Sequence, residues 1–186
     1  MASTTIDVFD HAVHTAQNWL AGITRRFGDG DRHAAHRILR AWLHTLRDRL
    51  PAAVAADFAA QLPELFRGAF YDGWQPGRAP VKYGPEEYRR RFALEAQIPV
   101  DEVDTAAAVV TAELRDRMSP GQVDQVLEVL PDPIRRILRG PAETGERAEP
   151  PVHREPDVAE LDPDQLARAA RRNTELLIAA SLHDPW

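Results

Sequence analysis

Histidine pairs are the residues whose type and spacing could most readily support chemistry. His11 and His14 lie three residues apart, as do His33 and His36, and on a helix that spacing can point two imidazoles at one metal ion. His44 follows His33 by eleven residues, about three helical turns, and therefore shares its face. The apolar periodicity of this segment puts that face toward solvent. We expect solvated surface histidines; a metal-binding protein or an uncharacterised enzyme that uses them is an alternative.

Carboxylates, hydroxyls and thiols supply no catalytic set. Asp101, Glu102 and Asp104 cluster at a predicted helix start, where capping and the helix dipole account for them. Ser119 opens a predicted capping box over residues 119–122. The chain has no cysteine, which excludes a thiolate nucleophile and any cysteine-ligated zinc. The sequence therefore predicts no catalytic residue, no metal site and no cofactor, and a protein that is not an enzyme.

Arginine supplies almost all of the basic charge, in short local clusters. One predicted helix face carries Arg37, Arg40 and Arg47, and a run extends from Arg89 to Arg91. Such clusters could bind nucleic acid or another anionic ligand, which is a second alternative. The formal net charge of −6 and the interleaved acids instead favour solvated, ion-paired faces.

The composition is that of an ordinary globular protein, with 44% hydrophobic and 28% charged residues among 186. This length suits one medium domain or two small ones. The first fourteen residues carry no Lys or Arg, so we expect no secretory signal peptide. The longest apolar stretch, residues 106–112, is too short to span a bilayer. We expect a cytoplasmic protein with no membrane partner.

Apolar stripes of helical period predict the elements that must position these residues. The first helix carries one apolar stripe: Ile6, Phe9, Val13, Ala16, Leu20, Ile23 and Phe27. Gly28 can end this helix. A second helix starts after Asp31 and has Trp42 at the centre of its buried stripe. Pro51 and Pro63 each break and restart the chain, which gives two further short helices.

The second half of the chain repeats the first at an offset of 68 residues. Residues 46–50 match residues 114–118 in this way, and the Leu-Pro at 62–63 falls on that at 130–131 without a gap. The repeat predicts an all-α fold, in which a tandem pair of four-helix units forms one compact helical domain. Its predicted parts are a first unit at 4–72, a packed linker at 73–84 and a second unit at 85–140.

A motif at the end of the first unit is specific enough to indicate a family. Its residues, in chain order, are Leu62-Pro63, Arg67-Gly68, Phe70-Tyr71, Asp72-Gly73-Trp74 and Pro76. Together with the second copy of the Leu-Pro step, this motif resembles the bacterial family called domain of unknown function 2267, over about residues 5–140. The resemblance implies an all-helical double unit, and it implies no activity and no site residue.

The aromatic residues of the motif are candidate binding residues. Phe70, Tyr71 and Trp74 lie where the two predicted units meet. They could form a packed joint between the units. They could also line a pocket or a peptide groove there, since ligand sites favour such interfaces.

The end of the chain has the composition of a tethered docking segment. Residues 141–160 are dense in Pro and charge, and we expect them to be disordered. Residues 161–186 predict an amphipathic helix that includes Leu176 and Leu177 and is followed by Trp186 at the chain end. Such a helix could dock on a protein partner or fold back on its own domain. The sequence thus predicts a non-enzymatic protein–protein interaction module, an adaptor or regulator with a C-terminal docking helix.

Overall fold

Helices supply the regular structure of the chain. The computed structural model describes residues 7–28 and 31–140. The α-helices in those ranges are α1 (Asp7–Phe27), α2 (Arg32–Arg49), α3 (Ala52–Ala60), α4 (Glu64–Tyr71), α5 (Pro85–Ala96), α6 (Val103–Arg117), α7 (Gln122–Glu128) and α8 (Asp132–Arg139). No strand occurs there, which confirms the predicted all-α fold, and no helix there is long and apolar enough to cross a membrane. The predictions for 141–186, with Leu176, Leu177 and Trp186, lie outside the described residues.

Prolines, a glycine and an aspartate set several helix boundaries as the sequence predicts. Asp31 caps α2, and its carboxylate accepts two backbone N–H groups of the first turn. Gly28 follows α1 with a φ of 80°, a left-handed conformation that costs glycine little. Pro51 and Pro63 immediately precede α3 and α4, at positions where a backbone N–H has no intrahelical partner.

The predicted capping box at 119–122 is wrong. The N-cap of α7 is Gly121, in a left-handed conformation with a φ of 82°, and no side-chain hydrogen bond is made there. Ser119 lies before this turn, and its carbonyl accepts the N–H of Gln122 at 3.1 Å. The helix starts from a backbone turn that only glycine adopts cheaply, and this conformation takes the place of a serine cap.

The core is built around α2 and α6. α2 packs against α1, α4, α5 and α6, while α6 also packs against α1, α7 and α8. Trp42 of α2 is fully buried, and its indole N–H donates to Thr111 Oγ1 of α6 at 2.9 Å. Thr111 in turn donates to the carbonyl of Ala107 at 2.9 Å. The polar atom of the largest core side chain is thus paired, as an apolar interior requires.

Both halves of the chain contribute to this core. α1 packs against α6 and α5 packs against α2, so the first helix of each half lies on the second helix of the other. α3 and α7 also meet, beside a cleft of about 150 Å³. The residues that line it form three pairs at the offset of 68: Val54 with Gln122, Asp57 with Gln125, and Phe58 with Val126. The repeat itself stays a prediction from the sequence.

The apolar stripe of α1 is buried in only half of the helix. Trp19 and Ile23 lie in the core, with 7% and 0% exposed. Phe9 and Val13 belong to the same predicted stripe but are 61% and 45% exposed. The period of a stripe gives its direction around the helix, whereas the length that is covered depends on how far the neighbouring helices extend.

A buried carboxylate joins α1 to α6. Glu113 is 5% exposed and accepts hydrogen bonds from Arg26 at 2.7 Å and Arg117 at 2.8 Å. Burial raises the pKa of Glu113, but these two hydrogen bonds outweigh it and hold the pKa below its ordinary value. Gly22 of α1 lies against the carboxylate, where a Cβ would stand 1.7 Å from Oε1. Glycine at this position therefore lets α1 approach the ion pair.

Gly22→Ala tests this contact, with Gly68→Ala in α4 as the matched control. Alanine favours a helix over glycine by about 0.5–1 kcal/mol. At Gly22 the methyl displaces Glu113 from its partners, and we expect a net loss of about 1–3 kcal/mol in the free energy of unfolding. A Cβ at Gly68 would have nothing within 4 Å, so that variant should gain about 0.5–1 kcal/mol. Equal gains in urea unfolding would contradict the described packing.

Candidate functional site

The three predicted aromatic binding residues lie at the end of α4 and differ in burial. Phe70 is fully buried, with its ring centroid 5.9 Å from that of Phe58. Tyr71 and Trp74 are half-buried, and their ring centroids are 5.4 Å apart. The indole N–H of Trp74 is shielded from solvent and has no acceptor among the described residues. Any ligand surface here comes from Tyr71 and Trp74 and not from Phe70, and their role in binding stays a prediction.

The linker after α4 contacts α2 through Tyr83. Its hydroxyl donates to the carbonyl of Thr45 at 3.1 Å. The guanidinium groups of Arg49 and Arg91 lie 5.2 and 4.5 Å from the centre of its ring. Burial raises the pKa of the Tyr83 phenol well above its ordinary value, so the hydroxyl stays a donor. These contacts hold the end of the linker beside α2.

Four side chains on one side of α2, Arg37, Arg40, His44 and Arg47, form what we call the basic face. The sequence predicts this face as solvated. For His44 and Arg47 that prediction is wrong, because they are only 7% and 5% exposed. The carboxyl ends of α4 and α5 lie on this face, and the apolar period of α2 alone cannot reveal a neighbour that binds its polar side.

The basic face donates to carbonyl groups at the carboxyl end of α4. His44 Nε2 lies 2.7 Å from the carbonyl oxygen of Ala69. Arg47 Nη1 donates to the carbonyl groups of Phe70 at 2.5 Å and Asp72 at 2.9 Å. The last carbonyl groups of a helix have no intrahelical partner, and they carry the negative end of the helix dipole. Basic side chains donate to these carbonyl groups and place positive charge at the negative end of the dipole. They thereby hold the turn that follows α4.

Two acidic side chains, Asp72 and Glu95, contact the basic face. Arg40 Nη2 donates to Asp72 at 2.7 Å, and Arg40 Nη1 lies 3.5 Å from Glu95 Oε1. The same Glu95 oxygen lies 2.6 Å from His44 Nδ1. Arg37 donates to the last carbonyl of α5 at 3.3 Å. The face therefore holds the ends of both α4 and α5 against α2.

The amino-terminal half of α2 is locally electropositive. Desolvation lowers the pKa of His36, and the neighbouring cations, Arg40 foremost, lower it further. His36 is therefore neutral at pH 7. In the part of the chain that the structure describes, no group of three His, Asp or Glu side chains is placed to hold a metal ion.

The exposed half of the α1 stripe borders a cleft. Val8, Phe9 and Val13, which we call the α1 surface, are 61%, 61% and 45% exposed. A cleft of about 470 Å³ lies between α1 and the turn into α4, and of these three side chains Val8 lines it. Its lining mixes apolar and charged side chains: Asp7, Val8, His11, Ala12, Thr15, Leu62, Pro63, Glu64 and Arg67. The sequence did not reveal this surface, because a stripe that continues beyond the core has the same period as one within it.

Fold and sequence comparison agree on the class of protein. The described residues form an all-α protein whose core is built on two central helices. Residues 16–137 match the family described as an uncharacterized conserved protein, DUF2267, and the chain belongs to that family. The resemblance stated from the motif is thereby confirmed. No curated protein matches the sequence.

Arg47→Met tests the buried donor, with Arg90→Met as the matched control. Methionine keeps much of the apolar length but leaves two carbonyl groups without their donor, so we expect a loss of about 2–4 kcal/mol in the free energy of unfolding. The Arg90 side chain is 67% exposed and pairs with Glu87 at 3.1 Å, and its loss should not be measurable. Small effects in both variants would mean that Arg47 is solvated.

Proposed function

We propose that this protein is a non-enzymatic helical module for protein–protein interaction, an adaptor or regulator in the bacterial cytoplasm. The observation that carries the proposal is the apolar stripe of α1, which leaves the core and continues on an exposed helix. Phe9 and Val13 continue the face of α1 that carries the buried Ala16 and Ile23, and Val8 lies at the edge of that face. A binding partner that covers this arc would extend the packing that the core already supplies.

The energetics favour a covered state for the α1 surface. Each Å² of apolar area removed from water stabilises a complex by roughly 25 cal/mol before the costs of association. A phenylalanine that is 61% exposed between two exposed valines is a suitable anchor, because aromatic side chains dominate binding energy at interfaces. Exposed apolar patches with polar borders commonly mark interaction sites.

The adjacent cleft supports the same use. Leu62 and Pro63 supply an apolar wall opposite α1, while Asp7, Glu64 and Arg67 supply charged groups in the lining. A cleft that combines an apolar wall with charged side chains can receive one face of an amphipathic helix. We therefore infer a helical segment of a partner protein as the occupant.

Residues 161–186 form a second docking element in this proposal. Their sequence places Leu176 and Leu177 within an apolar helical pattern and ends on Trp186, and Pro-rich residues separate them from the helical domain. A segment of this kind can bind a groove on a partner protein. Two tethered contacts on one chain would strengthen binding through effective concentration.

No specific observation on the described residues favours the two alternative functions, which are the binding of nucleic acid or another anion and an enzymatic or metal-binding role. The arginines that could bind an anion are largely engaged: Arg26 with Glu113, Arg89 with Asp104, and Arg47 with backbone carbonyls are examples. Of the histidines that could serve a metal site or a reaction, His44 is buried with both ring nitrogens occupied.

Site-specific photo-crosslinking in native cells tests the α1 surface. We expect p-benzoylphenylalanine at position 9 to yield a covalent adduct with a discrete partner protein, because a docked helix would lie against that side chain. The matched control places it at Leu94, which is 52% exposed on α5 and outside the proposed surface. Mass spectrometry of the adducts identifies the partner.

Two comparisons decide the result. An adduct from position 9 that disappears when Val13 is changed to Ser, in a variant with unchanged melting temperature, supports docking on α1. Equal adducts from positions 9 and 94, or none from position 9, would contradict it. The same experiment with a chain that ends at Gly140 shows whether residues 161–186 contribute to capture.

A further inference from the structure

We propose that the α1 surface and its cleft bind a basic amphipathic helix, whose lysine or arginine side chains pair with the carboxylates of Asp7 and Glu64. This inference rests on the proposed function, to which it adds the chemistry of the partner. Three observations carry it: exposed apolar side chains on α1, a cleft that adjoins them, and carboxylates that have no cationic partner among the described residues.

The apolar part of this contact lies on α1. Phe9 and Val13 are separated by about 6 Å along the helix axis and are 61% and 45% exposed. Val8 is 61% exposed at the edge of the same face, and it also lines the cleft. The α1 surface and the cleft therefore adjoin at Val8. Apolar side chains at the i, i+3 and i+4 positions of a bound helix cover the surface and enter the cleft.

Two carboxylates line the cleft, one from each wall. Asp7 lies at the start of α1, and Glu64 lies in the first turn of α4. Asp10 adds a third carboxylate, exposed on α1. The amino-terminal end of a helix favours carboxylates at such positions. None of the three, however, makes an ion pair or a side-chain hydrogen bond with another described residue.

The arginine that lines the cleft donates to the backbone and not to these carboxylates. Arg67 Nε donates to the carbonyl of Ala59 at 3.0 Å, and Arg67 Nη2 donates to those of Ala60 at 3.1 Å and Leu62 at 3.2 Å. These carbonyl groups lie at the carboxyl end of α3, where the helix dipole is negative. The charge of Arg67 therefore compensates the end of α3, and the cleft keeps two carboxylates that lack a cation.

Charge complementarity selects the occupant. A lysine or arginine side chain can lay its apolar stem on Val8 or Leu62 and bring its charged end to a carboxylate of the lining. The same carboxylates repel an acidic helix or a nucleic acid. A second copy of this chain, docked through its own α1 surface, would bring further carboxylates to the contact. A basic helix is the occupant that satisfies both the apolar and the charged side chains.

Three synthetic peptides test the charge preference on the full-length protein. Each is a helix of about 16 residues with the same leucine face, and the positions that flank this face are all lysine, all glutamine or all glutamate. We expect the lysine peptide to bind about tenfold more tightly than the glutamine peptide in fluorescence anisotropy at low salt, because two surface ion pairs form. The glutamate peptide should bind most weakly of the three.

Charge-neutral variants of the protein assign this preference to the cleft. Asp7→Asn combined with Glu64→Gln should abolish the advantage of the lysine peptide and leave the affinity for the glutamine peptide unchanged. Asp57→Asn combined with Asp101→Asn is the matched control, since it removes the same charge from two exposed positions outside this cleft. An advantage of lysine that survives at the cleft, or that falls equally in both variants, would overturn the proposal.

Phe9→Ser separates this inference from the proposed function. If the α1 surface binds helices, the loss of this exposed side chain should weaken all three peptides. Peptides that bind equally well, and that all lose affinity in Phe9→Ser, would leave the proposed function in place and overturn the charge preference.

Three other results would also overturn the proposal. They are no binding by any of the peptides, tightest binding by the glutamate peptide, and a dimer of the natural chain in sedimentation that Phe9→Ser dissociates. The proposed function fails on a different observation, which is the absence of an adduct from position 9 in cells.

Discussion

The hydrogen bond between Trp42 and Thr111 is the constraint on which the rest of the described structure depends. An indole N–H in an apolar interior must find an acceptor, and a single threonine hydroxyl on α6 supplies it. This requirement fixes the register of α2 against α6. Because α1 and α8 pack against α6, and α4 and α5 against α2, a shift in this register would displace the partners of both central helices.

The second constraint is that helix ends meet inside the molecule, where their carbonyl groups need donors. At the carboxyl end of α4, Arg47 donates to two of these carbonyl groups. Arg40 binds the Asp72 carboxylate beside them. At the offset of 68, Ala108 and Gly140 stand in place of Arg40 and Asp72, and a Cβ on Gly140 would lie 2.2 Å from that of Ala108. The second half therefore closes by contact of small residues, while the first half has the basic face. This difference confines the basic face of α2 to the first half of the chain.

Much of the fold could be predicted because local chemistry decides it. Asp31, Gly28 and the prolines before α3 and α4 each carry a backbone preference that acts regardless of the neighbours. The burial of Trp42 follows from the period of its helix. The burial of His44 does not, since it depends on where the end of another helix docks. The start of α7 was missed because the backbone of Gly121, and not a serine cap, decides it.

The candidate surfaces were harder to predict, because they too depend on which neighbouring elements cover a helix. A stripe that contains Phe9 and Val13 has the same period whether it packs inside a domain or awaits a partner. Only the exposure of these side chains distinguishes the two cases. The motif of the family was visible in the sequence, but it mixes a core residue, Phe70, with the half-buried Tyr71 and Trp74. Sequence similarity within a family does not separate packing from binding.

A double-mutant cycle on Trp42→Phe and Thr111→Val tests the central claim most directly. The cycle isolates the interaction between the two side chains from the separate costs of each substitution. If the indole bond fixes α2 on α6 as described, the free energies of unfolding in urea should give a coupling of about 1–2 kcal/mol. Effects that add to within about 0.5 kcal/mol would show that the two groups do not interact, and the described core would then be wrong.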